Sequence, residues 1–350
     1  MRPGNKASVA TLTRCPLYNR FPELEERLPR LDLCRGSSPV RPLSALEQHL
    51  GRPGLWVKND GLLGAAYGGN KVRKLEFVLA DVLRRRASTV LTFGGTGSHH
   101  CLATAIYARQ LGVRVAAVLL EQPETDEVRV NLRLLDSFGA RIVRAGSLPS
   151  AVARAAWLAL RCTEFGLPPR LPYLLWVGAS TPLGCVGFVN AALEMADQVR
   201  EGLLPEPRAV LLPLGSNGTA AGLLLGLRLA GLGTSVIAVQ VSDMPTVGAR
   251  CVARLANATA RLLRHRGASI PPHFFRPDDL TVISDAEARR YGQPTRNGEE
   301  AKELLSRLEG LTLDSTYTAK TVASLIERPD LPRPLLYWHT LNAYTLPTAV

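Results

Sequence analysis

The chain has 350 residues, of which 46% are hydrophobic and 21% charged, and a formal net charge of +12. That length suits one large α/β unit or two modest domains with a sizeable core, and the composition is ordinary for a soluble globular protein. The arginines lie scattered, "RRR" at 84–86 being the longest basic run, which favours attraction of anionic small molecules over a nucleic-acid surface.

Six cysteines (15, 34, 101, 162, 185 and 251) form no C-x-x-C pair and no zinc-like spacing with the six histidines. No metal site is expected, and reduced thiols in a cytoplasmic protein are the preferred reading. The opening "MRPGNKASVATLTRCPLYNRF" lacks the continuous apolar core of a signal peptide.

In chain order, the first informative stretch is "YGGNKVRKLEF", residues 67–77. Lysine is rare here, at 6, 58, 71, 74, 302 and 320 only, so Lys71 and Lys74 stand out. From Lys71, apolar residues at 72, 75, 79, 82 and 83 predict a helical face. Lys71 then sits at a helix start, where the dipole disfavours a cation and lowers an amine's pKa. Such an amine can form a Schiff base, which a guanidinium cannot. The plainer alternative is an exposed lysine after a tight turn.

"TVLTFGG" (89–95) predicts a strand, followed by a helix from about His99 to Gln110. Between them "GGTGSHH" aims backbone N–H groups and the Ser98 hydroxyl at an anion such as a carboxylate. His99 and His100 could add hydrogen bonds or proton transfer. The alternative is a tight turn with Ser98 as N-cap. Further strands are predicted at 113–120, 140–146, 173–178, 209–214, 234–242 and 335–340, with helical patterns mostly between them. Continuous apolar strands separated by helices imply parallel sheets covered on both faces, with ligands at the strands' carboxyl ends.

The stretch "AVLLPLGSNGTAAGLLLGL" (209–227) is free of charge, and Gly218, Gly222 and Gly226 repeat the spacing of membrane helix pairs. Pro213, Ser216, Asn217 and Thr219 interrupt it, so strand, loop and packed helix explain it better than a membrane span. Gly215 and Gly218 allow a tight turn, and Ser216, Asn217 and Thr219 add donors around a helix N-terminus. That is a phosphate cradle, although neither the P-loop nor the G-x-G-x-x-G pattern is present. Cradle and isolated lysine together suggest a phosphorylated aldehyde held as a Schiff base.

At this point the chain resembles a known family. "GGNKVRKLEF", the S-x-H loop, "VGASTPLGCVGFVNAALEM", "GSNGTAAG", "YGQPTRNGEEAKELLSRLEGLTLDSTYTAK" and "LLYWHT" are similar, in that order, to the D-cysteine desulfhydrase and 1-aminocyclopropane-1-carboxylate (ACC) deaminase group. These are pyridoxal 5'-phosphate (PLP) enzymes. The resemblance implies a two-domain α/β fold of the tryptophan synthase β-like type (fold type II). A small inserted domain, 74–186, would lie within a large PLP-binding domain, 1–73 and 187–350. It further implies a homodimer without nucleic-acid or membrane partners.

The family's roles, carried to matching positions, make Lys71 the Schiff-base lysine and proton shuttle. Asn70, His99 and the loop Gly215, Ser216, Asn217, Gly218 and Thr219 would hold the cofactor, with Thr318 facing its pyridine nitrogen. Ser98 and His100 would meet the substrate, and Tyr291 and Tyr317 would line the substrate side. Thr318, a hydroxyl where a carboxylate would make a stronger electron sink, tilts the reading toward β-elimination. D-Cysteine is then the best substrate, giving pyruvate, sulfide and ammonia. ACC deamination, an L-cysteate lyase-like activity, or PLP binding without turnover are the alternatives. The chain departs from the family at His99 (asparagine in S-N-H), at Leu341 and Asn342 (glycines in H-T-G-G), at "VGAST" (177–181) and at "KNDG" (58–61).

Overall fold

The computed structural model describes residues 15–164, 170–272 and 274–346. Its ten strands are β1 (Val40–Pro42), β2 (Leu55–Asn59), β3 (Thr89–Gly95), β4 (Arg114–Leu120), β5 (Arg141–Ala145), β6 (Tyr173–Leu175), β7 (Ala209–Leu214), β8 (Ser235–Gln240), β9 (Thr281–Ile283) and β10 (Leu335–His339). They form two sheets, a six-stranded one in the order β1-β2-β10-β7-β8-β9 and a four-stranded one in the order β5-β4-β3-β6. Every pairing is parallel except that of β1 with β2.

The parallel arrangement follows from two-sided burial. In β7, Val210, Leu212 and Leu214 pack with Phe188, Leu223 and Trp338, while Ala209 and Leu211 pack with Ala319, Val322 and Tyr337 on the other face. Pro213 sits inside this central strand, where a missing N–H would ordinarily break a ladder. The β10 ladder to β7 ends at Leu211, so the proline lies past it.

The predicted central strands and the helix His99–Gln110 appear within a residue or two of their expected places. The stretch 173–178 differs: only Tyr173–Leu175 is strand, and Val177–Ala179 is a 3₁₀ turn with Gly178 at φ 64°. In the helix Asn70–Arg84, Val72, Leu75, Leu79 and Val82 are buried as expected, whereas Leu83 is exposed.

The glycines of 218–226 serve contact between helices. A Cβ on Gly222 would stand 2.4 Å from the Cys185 carbonyl oxygen, and one on Gly226 would stand 2.6 Å from Ala192 Cβ. The helices Gly218–Ala230 and Pro182–Arg200 thus press backbone to backbone. No helix of the described residues is long and apolar enough to cross a membrane. Gly222→Leu is expected to destabilise the fold by about 1–3 kcal/mol or more through overpacking, seen as a lowered thermal midpoint by circular dichroism.

A buried ionic network holds the start of the Asn70–Arg84 helix. Arg73 Nε and Nη2 donate to Asp60 Oδ2 and Oδ1 at 3.0 and 2.8 Å, and Nη1 donates to Glu194 Oε2 at 2.8 Å. Lys58 Nζ reaches Glu194 Oε1 and Gln198 Oε1, both at 2.6 Å, and Trp338 Nε1 donates to Asp60 Oδ2 at 2.7 Å. Three separated segments, 58–60, 194–198 and the strand β10, are thereby tied to the helix that carries Lys71.

Candidate active site

The helix Asn70–Arg84 begins at Gly69, whose φ of 86° favours glycine, and no side chain caps it. The turn is held from the end of β10: Gly68 N–H donates to Asn342 Oδ1 at 2.7 Å and Asn70 N–H to the Thr340 carbonyl at 3.2 Å. At Asn342, where the resembled family has glycine, the side chain braces the lysine turn.

Lys71 is second in this helix, and its Nζ donates to Asn70 Oδ1 at 2.8 Å. Burial first, and then the charge of Lys74, bring its ammonium down to about 7, against the opposing pull of Asp314. Asn70 Nδ2 in turn donates to Thr219 Oγ1 at 3.2 Å, joining the lysine turn to the loop after β7.

That loop opens the helix Gly218–Ala230, which also lacks a side-chain cap. The Ser216 hydroxyl accepts from Ser180 Oγ at 3.0 Å, and Gly218 N–H donates to Ser180 Oγ at 3.2 Å. Asn217 behaves differently from the donor expected of it. Its amide donates to the Thr246 carbonyl at 2.7 Å and accepts from Gly248 N–H at 3.1 Å, so its side chain braces a neighbouring turn. Its backbone, at φ 65°, still shapes the loop.

Lys74 is the residue that sequence reasoning noticed without giving it a task. Its Nζ donates to the Gly178 carbonyl at 3.0 Å and lies 2.8 Å from where a Cβ on Gly218 would stand. Burial lowers its pKa to about 8. An ammonium therefore sits at the mouth of a helix that its own N-cap side chain leaves open, a strong place for an anion. Thr181, nearby, accepts from Gly184 N–H at 3.1 Å and caps the helix Pro182–Arg200. Ala179 holds φ 50°, a left-handed conformation that a glycine would adopt without cost.

Across the cleft, Ser98 is the N-cap of His99–Gln110, its hydroxyl accepting from Cys101 N–H at 3.3 Å. The two histidines part company. His100 is buried and points to β3, where Thr92 Oγ1 gives its hydrogen to the Leu175 carbonyl and must accept from His100 Nε2 at 2.9 Å. His100 Nδ1 is then a bare acceptor, buried and without a partner. Burial, with Lys71 and Lys74 nearby, holds this ring well below the usual histidine range. His99 instead meets Tyr67 and Glu127.

The Tyr291 and Tyr317 hydroxyls share a hydrogen bond of 2.6 Å, their rings meeting edge to face. Tyr317 packs against Gly215 and Tyr291 against Gly95, so the pair spans from the β7 loop to the end of β3. Lys320 Nζ holds the segment bearing Tyr291 through the Ala288 and Arg290 carbonyls at 3.0 and 2.8 Å. Thr318 is fully buried, and its hydroxyl donates to Asp314 Oδ2 at 2.8 Å. Asp314, which the sequence reading passed over, also accepts from the backbone of Tyr317 and Thr318 at 2.5 and 3.3 Å. Burial and nearby Glu127 push its carboxyl up.

The sequence matches the family described as "Pyridoxal-phosphate dependent enzyme" over residues 31–337. It is 36% identical over 330 residues to D-cysteine desulfhydrase of Klebsiella pneumoniae (strain 342), covering 91% of this chain and 96% of that protein. The D-cysteine desulfhydrase of Yersinia enterocolitica is also 36% identical over 330 residues, with the same coverage. Among solved structures, an ACC deaminase homologue superposes with a TM-score of 0.77 at 26% identity, covering 91% of this chain and 94% of its own. A pyridoxal 5'-phosphate-dependent aspartate racemase, 13% identical, shares the fold with a TM-score of 0.60, covering 93% of this chain and 95% of its own. With the lysine turn, the β7 loop and the parallel sheets already in place, these matches identify the chain as a member of the pyridoxal-phosphate-dependent enzyme family, built on the tryptophan synthase β-like (type II) fold and using pyridoxal 5'-phosphate as cofactor.

Proposed function

We propose that the protein is a lyase that removes the β-substituent and amino group of a small amino acid by α,β-elimination, with D-cysteine as substrate and pyruvate, sulfide and ammonia as products. The observation that carries this reading is the partly buried Lys71 amine, brought to about 7, near a helix start that its own N-cap side chain leaves open, with Lys74 at its mouth. The choice of D-cysteine is supported by relatives of that name matching 91% of the chain.

The residues present fit pyridoxal phosphate. Lys71 would hold its aldehyde carbon, with Asn70 beside it. Lys74, the backbone of 215–219 and the Ser216 and Thr219 hydroxyls would hold its phosphate; Thr318 and His99 would only flank the ring, since the Thr318 hydrogen goes to Asp314 and both His99 nitrogens are engaged by Tyr67 and Glu127. The unpartnered Nδ1 of His100 suits an N–H or O–H of a ligand, and marks a buried acceptor waiting for a donor. When bound, the cofactor supplies a conjugated ring that stabilises negative charge at a substrate's α-carbon.

The chain's own groups do the rest. A Lys71 amine with a pKa near neutrality is suited to taking the α-proton. Ser98, at the start of the helix His99–Gln110, would receive the substrate carboxylate. Of the two hydrogens on Tyr291 and Tyr317, one lies between them, leaving the other for the departing group. The reading extends to a cytoplasmic homodimer, with the cytoplasm supported by free thiols at all six cysteines. It also takes 74–186 as a domain inserted between 1–73 and 187–350, supported by the four-stranded sheet falling wholly within 89–175.

The test is product analysis of PLP-loaded protein given D-cysteine, L-cysteine, L-cysteate and ACC separately. Pyruvate and sulfide released from D-cysteine, at least about tenfold faster in kcat/KM than 2-oxo acid from the others, is the expected result. A bound chromophore with no 2-oxo acid from any of the four would overturn the lyase reading. Mass photometry of the same sample checks the dimer.

A further inference from the structure

Tyr67, His99 and Glu127 stand in a line. The Tyr67 hydroxyl lies 2.7 Å from His99 Nδ1, and Glu127 Oε1 lies 3.2 Å from His99 Nε2. The three come from separate elements: the turn before Asn70–Arg84, the first residue of His99–Gln110, and the first turn of Asp126–Ser137. The backbone of Ser315, in the turn that leads to Tyr317, helps hold the Glu127 carboxylate in its charged form. The line therefore joins three separate elements, and its ring lies within the charge fields of Lys71 and Asp314.

Donors and acceptors fix the ring. An ionised carboxylate only accepts, so His99 Nε2 must carry a hydrogen. In the neutral ring Nδ1 is then bare, and the Tyr67 hydroxyl must donate to it. In the protonated ring both nitrogens donate, Tyr67 accepts, and its own hydrogen is released to another acceptor. One proton on one ring decides where the Tyr67 hydrogen points. Tyr67 is 3% exposed, so that hydrogen has no bulk water to turn to.

The charges around the ring favour the protonated form. Burial opposes it, and so does Lys71, but the hydrogen bond and charge of Glu127, with Asp314 behind, outweigh both and raise the pKa of His99 above its ordinary value. Glu127 is held ionised in return: burial works against its charge, and the His99 contact, Lys302 and the Ser315 backbone overcome it.

We propose that Glu127 is a positioning residue acting through His99 on Tyr67: it fixes the hydrogen on Nε2, and the protonation of His99 switches the Tyr67 hydroxyl between donating to the ring and donating to an anionic group of a ligand beside Lys71. The switch belongs to the chain's own residues and stands whichever amino acid the cleft accepts.

The test follows the ring itself. Full-length PLP-loaded protein with ¹⁵N-labelled histidine is titrated by NMR, and His99 is assigned by the signal lost in His99→Asn. The expected wild-type result is a neutral ring protonated at Nε2 and a midpoint above the ordinary value of about 6.5. Glu127→Gln, isosteric and at a side chain one third exposed, is expected to lower that midpoint by about one pH unit or more. Tyr67→Phe is expected to move the neutral-form Nδ1 signal toward that of an unbonded ring nitrogen. A midpoint unmoved in Glu127→Gln, a neutral ring protonated at Nδ1, or an Nδ1 signal unmoved in Tyr67→Phe would each overturn the proposal. A contact that only supports the fold would change the melting temperature of these variants and leave tautomer and midpoint alone.

Discussion

Lys71→Ala is expected to abolish the visible absorption band that PLP gives with the wild-type protein, and to lower turnover by at least about 10³-fold. Lys71→Arg is expected to do the same, because a guanidinium keeps its proton and cannot bond to the aldehyde. The contrast with Lys74 makes the experiment specific. The two amines lie three residues apart on one helix, Lys74 buried and Lys71 partly so, yet Lys71 lies at Asn70 while Lys74 lies at Gly178 and Gly218. Lys74→Ala should therefore keep the band at saturating cofactor while weakening cofactor affinity by about tenfold or more, as loss of a charge-assisted contact to a phosphate predicts. A band that survives in Lys71→Ala and disappears in Lys74→Ala would exchange the two roles. The pH dependence carries a sign as well. With its pKa brought to about 7 by burial and by Lys74, the Lys71 amine is mostly protonated below neutrality and free above it. The rate of band formation should rise through pH 7 and level off by about pH 8.

The central strands were legible because they are buried on both faces, which leaves continuous apolar runs such as "AVLLPL" with no competing pattern. Three strands of the six-stranded sheet, β1, β2 and β9, were not. β1 and β9 have three residues each, too short for a period to show. β2 contains Lys58, a fully buried lysine that interrupts its apolar run, and Glu194 and Gln198, far along the chain, with the Ser38 carbonyl, explain why a charge is tolerated there. The site divides in the same way. Lys71, Ser98 and the 215–219 loop lie at strand-to-helix turns, where local sequence dictates geometry. What escaped depends on distant pairing. Asn217 offered the right chemistry for a phosphate loop, but its amide is engaged 29 residues away on Thr246. Asp314 had a local signal, an acid four residues before the helix that begins at Thr318, and its capping of Tyr317 and Thr318 could have been anticipated. Tyr67 and Glu127 had none, since nothing in either neighbourhood says that one imidazole will bind both.

Arg73→Met is expected to cost about 3–5 kcal/mol of stability, the range for removing one partner of a buried ion pair. Arg73 is 1% exposed and satisfies Asp60 and Glu194 together, with Ser38 Oγ accepting from its Nη2 at 2.8 Å. Without it, two carboxylates remain buried, with Lys58 as the one cation beside them and the Ser38 N–H and hydroxyl and Trp338 as neutral donors. The site should suffer as well, because Arg73 lies two residues from Lys71 and ties that helix to the end of β2. Urea titration of the PLP-loaded protein measures the first effect, and cofactor affinity measures the second. Acid sensitivity supplies an independent check. Burial works against the charge of Glu194, but Arg73 and Lys58 together hold its carboxyl down at about 2. A folded-state value below the unfolded one contributes stability that is present above the unfolded value of about 4.3 and is lost as pH falls toward 2. Removing Arg73 takes away the larger share of what holds that value down, so the variant should lose stability at a higher pH than the wild type. The double variant Arg73→Met with Glu194→Gln leaves one fewer stranded charge and should recover part of the loss. If the single variant falls by less than about 1 kcal/mol, within the range of an exposed ion pair, the network does not anchor the lysine-bearing helix as argued.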